Sequence, residues 1–376
     1  MNKKVCIVTA SPSTVDAFLR KHIDFLSENN RVSVVSGFDK SDVDNVGRGS
    51  KKAIDISRNI NVFSDVRSVL NLFYFFREEK FDIVISVTPK AGLLAMLTAF
   101  LCRVPVRIHW YTGQVWVTKT GFFRRFLKFF DQLIAVVSTH LLADSNSQME
   151  FLLSEGVVRR GKIGVLSAGS ISGVNAKKFL RNDQMRFGLR KDMQLSDSDV
   201  LFLFLGRMNR DKGVLDLARA FSNLAAESSN VKLVFVGPDE EQITDEIKQI
   251  CNKCCRHVSF YGYTNVPEKY LSAADVFVLP SYREGFGTSV IEAAAAGIPC
   301  VGTRIYGLTD AIEEGVTGIL VEPGNVSQLK DAISKLAESD KTRLLMGKKA
   351  QLRAVEQFND DNLSAEFVRY VEYICR

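Results

Sequence analysis

The chain has 376 residues, of which 46% are hydrophobic and 24% charged, a composition that excludes a disordered or fibrous protein. Its length exceeds one ordinary domain of about 150 residues, and its longest apolar run, residues 91–102, is shorter than the ~20 residues that span a membrane. The net charge of +6 is uneven, since residues 1–182 carry +11 and residues 183–376 carry −5, which indicates an anionic partner for the first half.

In chain order, the first half alternates β-rich apolar runs with helical stretches, the pattern of parallel βαβ units. Residues 91–102 are predicted to form a buried helix within this half. The predicted strands are residues 5–9, 32–36, 83–87, 106–109, 133–137 and 163–166.

Residues 121–130, Gly-Phe-Phe-Arg-Arg-Phe-Leu-Lys-Phe-Phe, interleave aromatic and basic side chains, with Lys119 just ahead. Such a helix either lies on an anionic membrane surface or packs in the core with a solvated basic edge. The charge of the first half favours the membrane. Nucleic acid is not expected as a partner, because no recognition motif accompanies the charge.

A polar stretch, residues 181–199, is predicted to separate two domains, residues 1–182 and residues 183–359. The second half again alternates strands and helices, and residues 360–376 form a helix with an apolar face that we expect to return to the first domain. The predicted strands of the second half are residues 201–205, 232–236, 258–261, 276–279, 300–302 and 318–321. The expected fold is α/β, with two doubly wound, Rossmann-like domains facing a cleft.

The loop after strand 201–205 reads Gly-Arg-Met-Asn-Arg-Asp-Lys-Gly. Gly206 allows a ligand to approach the backbone, and Arg207 and Lys212 together would neutralise a diphosphate. The spacing is neither that of a P-loop nor that of a dinucleotide-binding loop. Taken alone, the loop is more simply interpreted as a solvated charged turn.

Residues 284–292, Glu-Gly-Phe-Gly-Thr-Ser-Val-Ile-Glu, join a small-residue loop to the start of a helix. Helix N-termini bind phosphate, and carboxylates accept hydrogen bonds from hydroxyl groups. A nucleotide-sugar offers both, whereas the alternative is an ordinary strand–loop–helix joint with two surface glutamates. The charged loop at residues 206–213 favours the nucleotide-sugar.

Together these two motifs resemble the donor domain of a retaining GT-B glycosyltransferase of family 4, whose marks are Gly-Arg with a later Lys-Gly and two glutamates eight residues apart. The resemblance implies that Arg207 and Lys212 hold the diphosphate, that Glu292 accepts hydrogen bonds from the ribose, and that Glu284 lies by the transferred sugar. It also implies backbone contacts to sugar and phosphate from Phe286, Gly287, Thr288 and Ser289. Tyr263 lies in a loop that matches the family's base side, where it could flank the base or only pack.

The first half is similar to bacterial capsule and O-antigen transferases at residues 107–116 and 168–175. This resemblance implies that His109 contacts the donor sugar; the alternative is a satisfied core histidine. The aromatic residues Trp110, Tyr111 and Trp116 either stack on an acceptor sugar or belong to the core. Many family members carry a Gly-Gly loop after the first strand, whereas the loop from Ser11 to Thr14 has no glycine, which puts its phosphate contact in doubt.

No metal or other cofactor is expected, since basic side chains and a helix dipole can stabilise the leaving diphosphate. The seven cysteines are scattered, and residues 251–255 carry only half the ligands of a zinc site. Two Asp-x-Asp pairs, Asp42/Asp44 and Asp197/Asp199, lie in polar loops and are interpreted as solvated. With no signal peptide at the first residues, the thiols indicate a reduced cytoplasmic protein.

The leading hypothesis is a peripheral enzyme at the cytoplasmic face of the inner membrane. It would use a UDP-sugar, with an N-acetylhexosamine as the candidate sugar, to extend a polyprenyl-diphosphate-linked glycan by a front-face, retaining transfer. Three alternatives stay open: a soluble acceptor, a nucleotide-sugar epimerase on the same fold, and a sugar-binding scaffold with an inactive site.

Overall fold

The computed structural model describes residues 2–38, 47–56 and 61–375. The chain divides into two compact units: unit 1 comprises Met1–Gly173 and Asp360–Arg376, and unit 2 comprises Val174–Asn359. The last helix therefore groups with the first unit. The first division falls at residue 173 rather than at the predicted residue 182.

The described residues form strands and helices in regular alternation. The strands are β1 Lys4–Val8, β2 Arg31–Ser36, β3 Ser50–Ala53, β4 Ile83–Val87, β5 Val106–Tyr111, β6 His140–Ala143, β7 Ile163–Val165, β8 Val200–Leu205, β9 Val231–Val236, β10 Val258–Tyr261, β11 Val276–Leu279, β12 Cys300–Thr303 and β13 Gly318–Val321. The α-helices are α1 Pro12–Thr14, α2 Arg20–Ser27, α3 Val62–Glu79, α4 Pro89–Leu101, α5 Gly121–Val137, α6 Asn146–Ser154, α7 Ala176–Phe179, α8 Asp183–Asp192, α9 Val214–Glu227, α10 Thr244–Ile250, α11 Pro267–Ala273, α12 Thr288–Ala295, α13 Leu308–Ala311, α14 Val326–Glu338, α15 Asp340–Gln357 and α16 Asp360–Ile374.

The predicted linker is a folded part of unit 2. Its polar residues build α8, where Arg186 and Arg190 both bind the carboxylate of Asp275, at 2.7 and 3.0 Å. The Arg190 side chain is buried and also donates to the carbonyl groups of Ser196 and Asp199. Residues 181–199 therefore have the composition of a linker, but two of their charged side chains form an ion pair with Asp275 inside unit 2.

The sheet of unit 1 is parallel, in the order β3-β2-β1-β4-β5-β6-β7. The predicted strand at residues 133–137 is wrong, since these residues end α5 and bury Ile134, Ala135 and Val137 along one helical face. Short apolar runs do not distinguish a strand from a buried helix turn. The strand comes next, at β6, and the polar edge strand β3 was not predicted.

Two apolar cores lie on opposite faces of this sheet. On one face, α3, α4 and α5 contribute buried residues to the same cluster, among them Leu72, Ala95 and Ile134. On the other face, α2 packs with α16, which buries Leu363, Phe367 and Val371 as its apolar spacing predicts. Within the described residues no helix is both long and apolar enough to cross a bilayer.

The sheet of unit 2 is parallel, in the order β10-β9-β8-β11-β12-β13. Its strand order reverses between β8 and β11, which pair directly. Ligands of such sheets bind beyond the carboxyl ends of the strands at this switch point. Residues 206–213 follow β8 and residues 280–287 follow β11, so the topology places the two motif loops side by side.

Candidate active site

The two motif loops of unit 2 pack closely against each other. Gly213 has a φ of +67°, and a Cβ atom there would lie 2.0 Å from the carbonyl oxygen of Pro280. The amide of Tyr282 donates to the carbonyl oxygen of Asp211 at 2.8 Å, and Arg283 binds the Asp211 carboxylate at 3.2 Å. Only glycine satisfies both the backbone angle and this close approach.

Lys212 and Glu284 form the central contact of the site. The Lys212 Nζ atom donates to Glu284 Oε1 at 2.5 Å, and the two side chains are only 18% and 11% exposed. The hydroxyl of Ser281 donates to the same carboxylate oxygen at 2.7 Å, while Thr303 donates to the carbonyl oxygen of Ser281. Two residues 72 positions apart are thus brought together at the switch point.

Arg207 lies on the same loop and binds a different carboxylate. Its Nη1 atom donates to both oxygens of Glu240, at 2.9 and 2.8 Å, and Asn209 Nδ2 donates to Glu240 at 3.0 Å. Glu240 follows β9 and was not predicted as part of the site, because its sequence neighbourhood is an ordinary acidic turn. The described atom nearest to a Cβ on Gly206 would be the Phe204 ring at 3.6 Å, an ordinary van der Waals contact.

The N-terminus of α12 lies at the end of the second loop. Gly287 caps it with a φ of +85°, and among the described residues this N-cap has no side-chain hydrogen bond. The preceding Phe286 is buried and packs edge-on against Phe358, with ring centroids 5.2 Å apart. The Thr288 and Ser289 amides stand in the first turn, where helix N–H groups have no intrahelical partner.

Glu292 lies one turn inside α12, with its side chain largely covered. Burial, opposed by Lys178 and reinforced by Glu268, raises the pKa of its carboxyl to about 7. The Lys178 Nζ atom lies 3.6 Å from Glu268 Oε2, so one cation stands near two carboxylates. Sequence reasoning missed Lys178 and Glu268, which come from α7 and α11 and carry no motif.

Tyr263, in the loop after β10, is 81% exposed. The alternative that it only packs in the core is therefore wrong. Its ring is free to meet a ligand, and contact with a nucleotide base stays a prediction.

Similarity to known proteins decides the family. The family model described as "Glycosyl transferases group 1" matches residues 186–353, and "Glycosyl transferase 4-like domain" matches residues 47–169. A Staphylococcus aureus protein named capsular polysaccharide biosynthesis glycosyltransferase CapM is 30% identical over 361 residues, covering 95% of this chain and 94% of the relative. The chain is a GT-B glycosyltransferase of family 4.

Two further proteins resemble this glycosyltransferase. An Escherichia coli protein named UDP-Gal:alpha-D-GlcNAc-diphosphoundecaprenol alpha-1,3-galactosyltransferase is 27% identical over 308 residues, covering 81% of this chain and 78% of the relative. The crystal structure of Anabaena HepE in complex with UDP-glucose aligns with a TM-score of 0.83 at 16% identity, covering 99% of this chain and 100% of the other. At that identity the likeness shows the shared fold.

His109 of the glycosyltransferase lies in the core of unit 1. It is 1% exposed, and its Nδ1 atom lies 2.8 Å from the hydroxyl of Ser86 on the neighbouring strand. Its ring stands edge-on to Tyr111, and burial lowers its pKa to about 3. This placement favours the alternative of a satisfied core histidine, and the sugar contact stays a prediction.

Trp110, Tyr111 and Trp116 are core residues rather than an exposed stacking platform, since each is buried. Tyr111 and Trp116 both bind Asp131: the Tyr111 hydroxyl donates to its backbone oxygen and Trp116 Nε1 to its carboxylate, each at 2.7 Å. Burial raises the pKa of Asp131 to about 7, with the Trp116 bond acting against it. This network is structural.

The remaining predicted features of the glycosyltransferase are the glycine-free loop and the two Asp-x-Asp pairs. In the loop after β1, the hydroxyls of Ser11 and Ser13 hydrogen-bond to each other at 2.7 Å. Asp199 accepts from the amide and hydroxyl of Ser196 at 2.7 and 2.8 Å, so it stabilises a turn. Asp42 and Asp44 lie outside the described residues.

The basic helix α5 turns its aromatic side chains to solvent. Arg124 and Lys128 bind Glu155 at 2.8 and 2.7 Å and lie over the ring of Trp116. The exposed aromatic residues of α5 are Phe122, Phe123, Phe126 and Phe129. Two of the basic groups thus have an acidic partner within unit 1, and the outer face is more apolar than the sequence pattern indicates.

Proposed function

We propose that this enzyme transfers a sugar, with retention of anomeric configuration, from a UDP-sugar to a polyprenyl-diphosphate-linked glycan in surface-polysaccharide synthesis. The observation that carries the proposal is the contact between Lys212 and Glu284 at the switch point of unit 2, beside the N-terminus of α12. The name of the E. coli relative supports a UDP-sugar donor and a diphosphoundecaprenol-linked acceptor.

In this proposal the diphosphate binds the two cations, Arg207 and Lys212, that are paired with carboxylates in the structure. Arg207 would exchange Glu240 for a phosphate oxygen, and Lys212 would share its charge between Glu284 and the diphosphate. The free amides of Thr288 and Ser289 point along the helix dipole and add hydrogen bonds to the leaving group. This set stabilises negative charge as the glycosidic bond breaks, and no metal is needed.

Glu292 and Glu284 have different roles in the proposed reaction. Glu292, held in a largely covered position, accepts hydrogen bonds from the ribose hydroxyls, while Glu284 is oriented by Lys212 and Ser281 toward the transferred sugar. In a front-face transfer the acceptor hydroxyl attacks on the side the diphosphate leaves, and the departing phosphate accepts its proton. An N-acetylhexosamine is the first donor sugar to test.

The acceptor would be a membrane lipid, so we also propose that unit 1 binds the cytoplasmic face of the inner membrane. The phenylalanines of α5 are exposed, and residues 1–182 carry a net charge of +11. An amphipathic surface of this kind binds anionic bilayers by apolar insertion and charge attraction.

The test is to incubate the full chain with a panel of UDP-sugars and short polyprenyl-diphosphate glycans, with and without chelator, and to follow product mass. NMR of the new linkage reports retention. Lys212→Met should abolish transfer, whereas Lys248→Met, which removes an exposed lysine paired with Asp245, should not. Donor conversion without acceptor would favour an epimerase, and no product from the wild type with any donor and acceptor would favour an inactive scaffold. Wild-type activity of Lys212→Met would refute the role of Lys212. Loss of activity with chelator would refute the metal-free mechanism.

A further inference from the structure

Helix α3 presents an apolar stripe to solvent. Phe63, Val66, Leu70 and Tyr74 recur at helical spacing, and their side chains are 50–90% exposed. The opposite face of the helix buries Leu72, Phe75 and Phe76 in the core of unit 1. A helix that is apolar on both faces buries one face in the core and leaves the other available to bind a second apolar surface.

The outward faces of α3, α4 and α5 lie on the same side of unit 1. The inner faces of these helices share one core cluster on one face of the sheet, and α4 packs against both neighbours. Exposed apolar residues continue across this layer: Phe63, Val66, Leu70 and Tyr74 on α3, Phe100 and Leu101 on α4, and Phe122, Phe126, Phe129 and Val136 on α5. We call these ten residues the apolar layer surface.

The charges around this surface are mostly basic. Arg67 and Arg77 flank the stripe of α3, and Arg125 is exposed on α5. One acidic residue, Glu78, is exposed at the end of the stripe, one turn after Tyr74. Asp65, on another face of α3, binds Lys90 at 2.6 Å, and the one acidic residue of α5, Asp131, is buried. Exposed phenylalanines among charges that are mostly basic complement an anionic bilayer better than they complement a second copy of the same basic surface.

We infer that α3 inserts into the membrane together with α5, so that the whole apolar layer surface, rather than one basic helix, contacts anionic lipid. The inference extends the membrane contact of the proposed function to a second helix that carries no membrane-like sequence pattern. It fixes which side of unit 1 faces the bilayer, because two inserted helices define a plane where one defines only a line.

The experiment is flotation of the full chain with vesicles of equal parts phosphatidylglycerol and phosphatidylcholine, and with phosphatidylcholine alone. The α3 variant carries Phe63→Ser, Leu70→Ser and Tyr74→Ser. A matched control carries Leu344→Ser, Leu345→Ser and Leu352→Ser, which remove three equally exposed apolar side chains from α15 of unit 2. Circular dichroism and UDP binding show that each variant is folded.

The α3 variant should bind anionic vesicles about tenfold or more weakly, and the control should bind like the wild type. Flotation of the α3 variant at the wild-type level, with loss only in an α5 variant, would overturn the inference while leaving membrane binding by α5 intact. A wild-type dimer in light scattering that the α3 variant makes monomeric, without vesicle binding, would assign the surface to a second copy. Sugar transfer to a water-soluble acceptor analogue reports the proposed function separately.

Discussion

Replacing Glu240 by glutamine should tighten the binding of UDP. In the structure Arg207 donates to both carboxylate oxygens of Glu240, at 2.8 and 2.9 Å, so a diphosphate that takes the same guanidinium must displace this partner. Glutamine keeps the shape and removes the charge. The substitution therefore makes Arg207 more available and removes a carboxylate that repels the ligand.

The size of the effect follows from exposure. The Arg207 and Glu240 side chains are 47% and 32% exposed, so their ion pair is screened by solvent and contributes about 0.5–1 kcal/mol. Releasing that amount on binding corresponds to a Kd about two- to fivefold lower. High salt should reduce the difference in Kd between Glu240→Gln and wild type, because dissolved ions screen exposed charges, with a screening length of about 10 Å at 0.1 M ionic strength.

Isothermal titration of UDP into wild type, Glu240→Gln and Glu241→Gln measures this difference. Glu241 is the matched control, since it lies on the same turn but faces Arg210 at 3.9 Å. A Kd for Glu240→Gln that equals or exceeds the wild-type value would refute the reasoning. It would mean that Glu240 orients Arg207 for the ligand, or that Arg207 does not bind the diphosphate.

Three further predictions concern buried or crowded positions. Folding raises the pKa of Glu292 to about 7, so the ionised carboxylate destabilises the fold as the pH rises from the ordinary pKa of a glutamate to above 7. In thermal melts, Glu292→Gln should therefore be more stable than wild type by about 1–3 kcal/mol near pH 8, but not near pH 4. The same variant should bind UDP more weakly. Gly213→Ala would press a Cβ against Pro280 and should weaken UDP binding about tenfold or more at a stability cost of about 1–3 kcal/mol, and unchanged affinity would contradict the loop packing. His109→Ala should lower stability by about 2–4 kcal/mol, through a cavity and an unpaired Ser86, without changing KM for the donor; a lower kcat at unchanged stability would restore the sugar contact.

Much of the donor site was accessible from the sequence because its residues are clustered in two short motifs. Residues 206–213 and 284–292 each combine small and charged residues directly after a buried strand, and parallel strands end at the same edge of a sheet. Glu240, Glu268 and Lys178 were missed since each stands alone in an ordinary polar segment. Their relevance depends on three-dimensional proximity to Arg207 and Glu292.

The errors have similar causes. Residues 133–137 are apolar enough for a strand, but only packing reveals that they are the last turn of α5. Residues 181–199 have the composition of a linker, yet the burial of Arg190 against Asp275 makes them part of unit 2. His109 is a different case: its sugar contact, implied by resemblance, stays a prediction, while its burial against Ser86 follows from the pairing of β4 with β5.

The sequence alone determined the alternation of strands and helices, the two motif loops and the family, because these depend on residue type and spacing within short segments. Tertiary structure decided which side chains meet: that Lys212 binds Glu284 and that Arg207 is held by Glu240. It also decided that His109, Trp110 and Trp116 are buried. It also decided that α3 is apolar on its outer as well as its inner face. Exposure and contact between distant residues arise from packing, which periodicity along the chain does not encode.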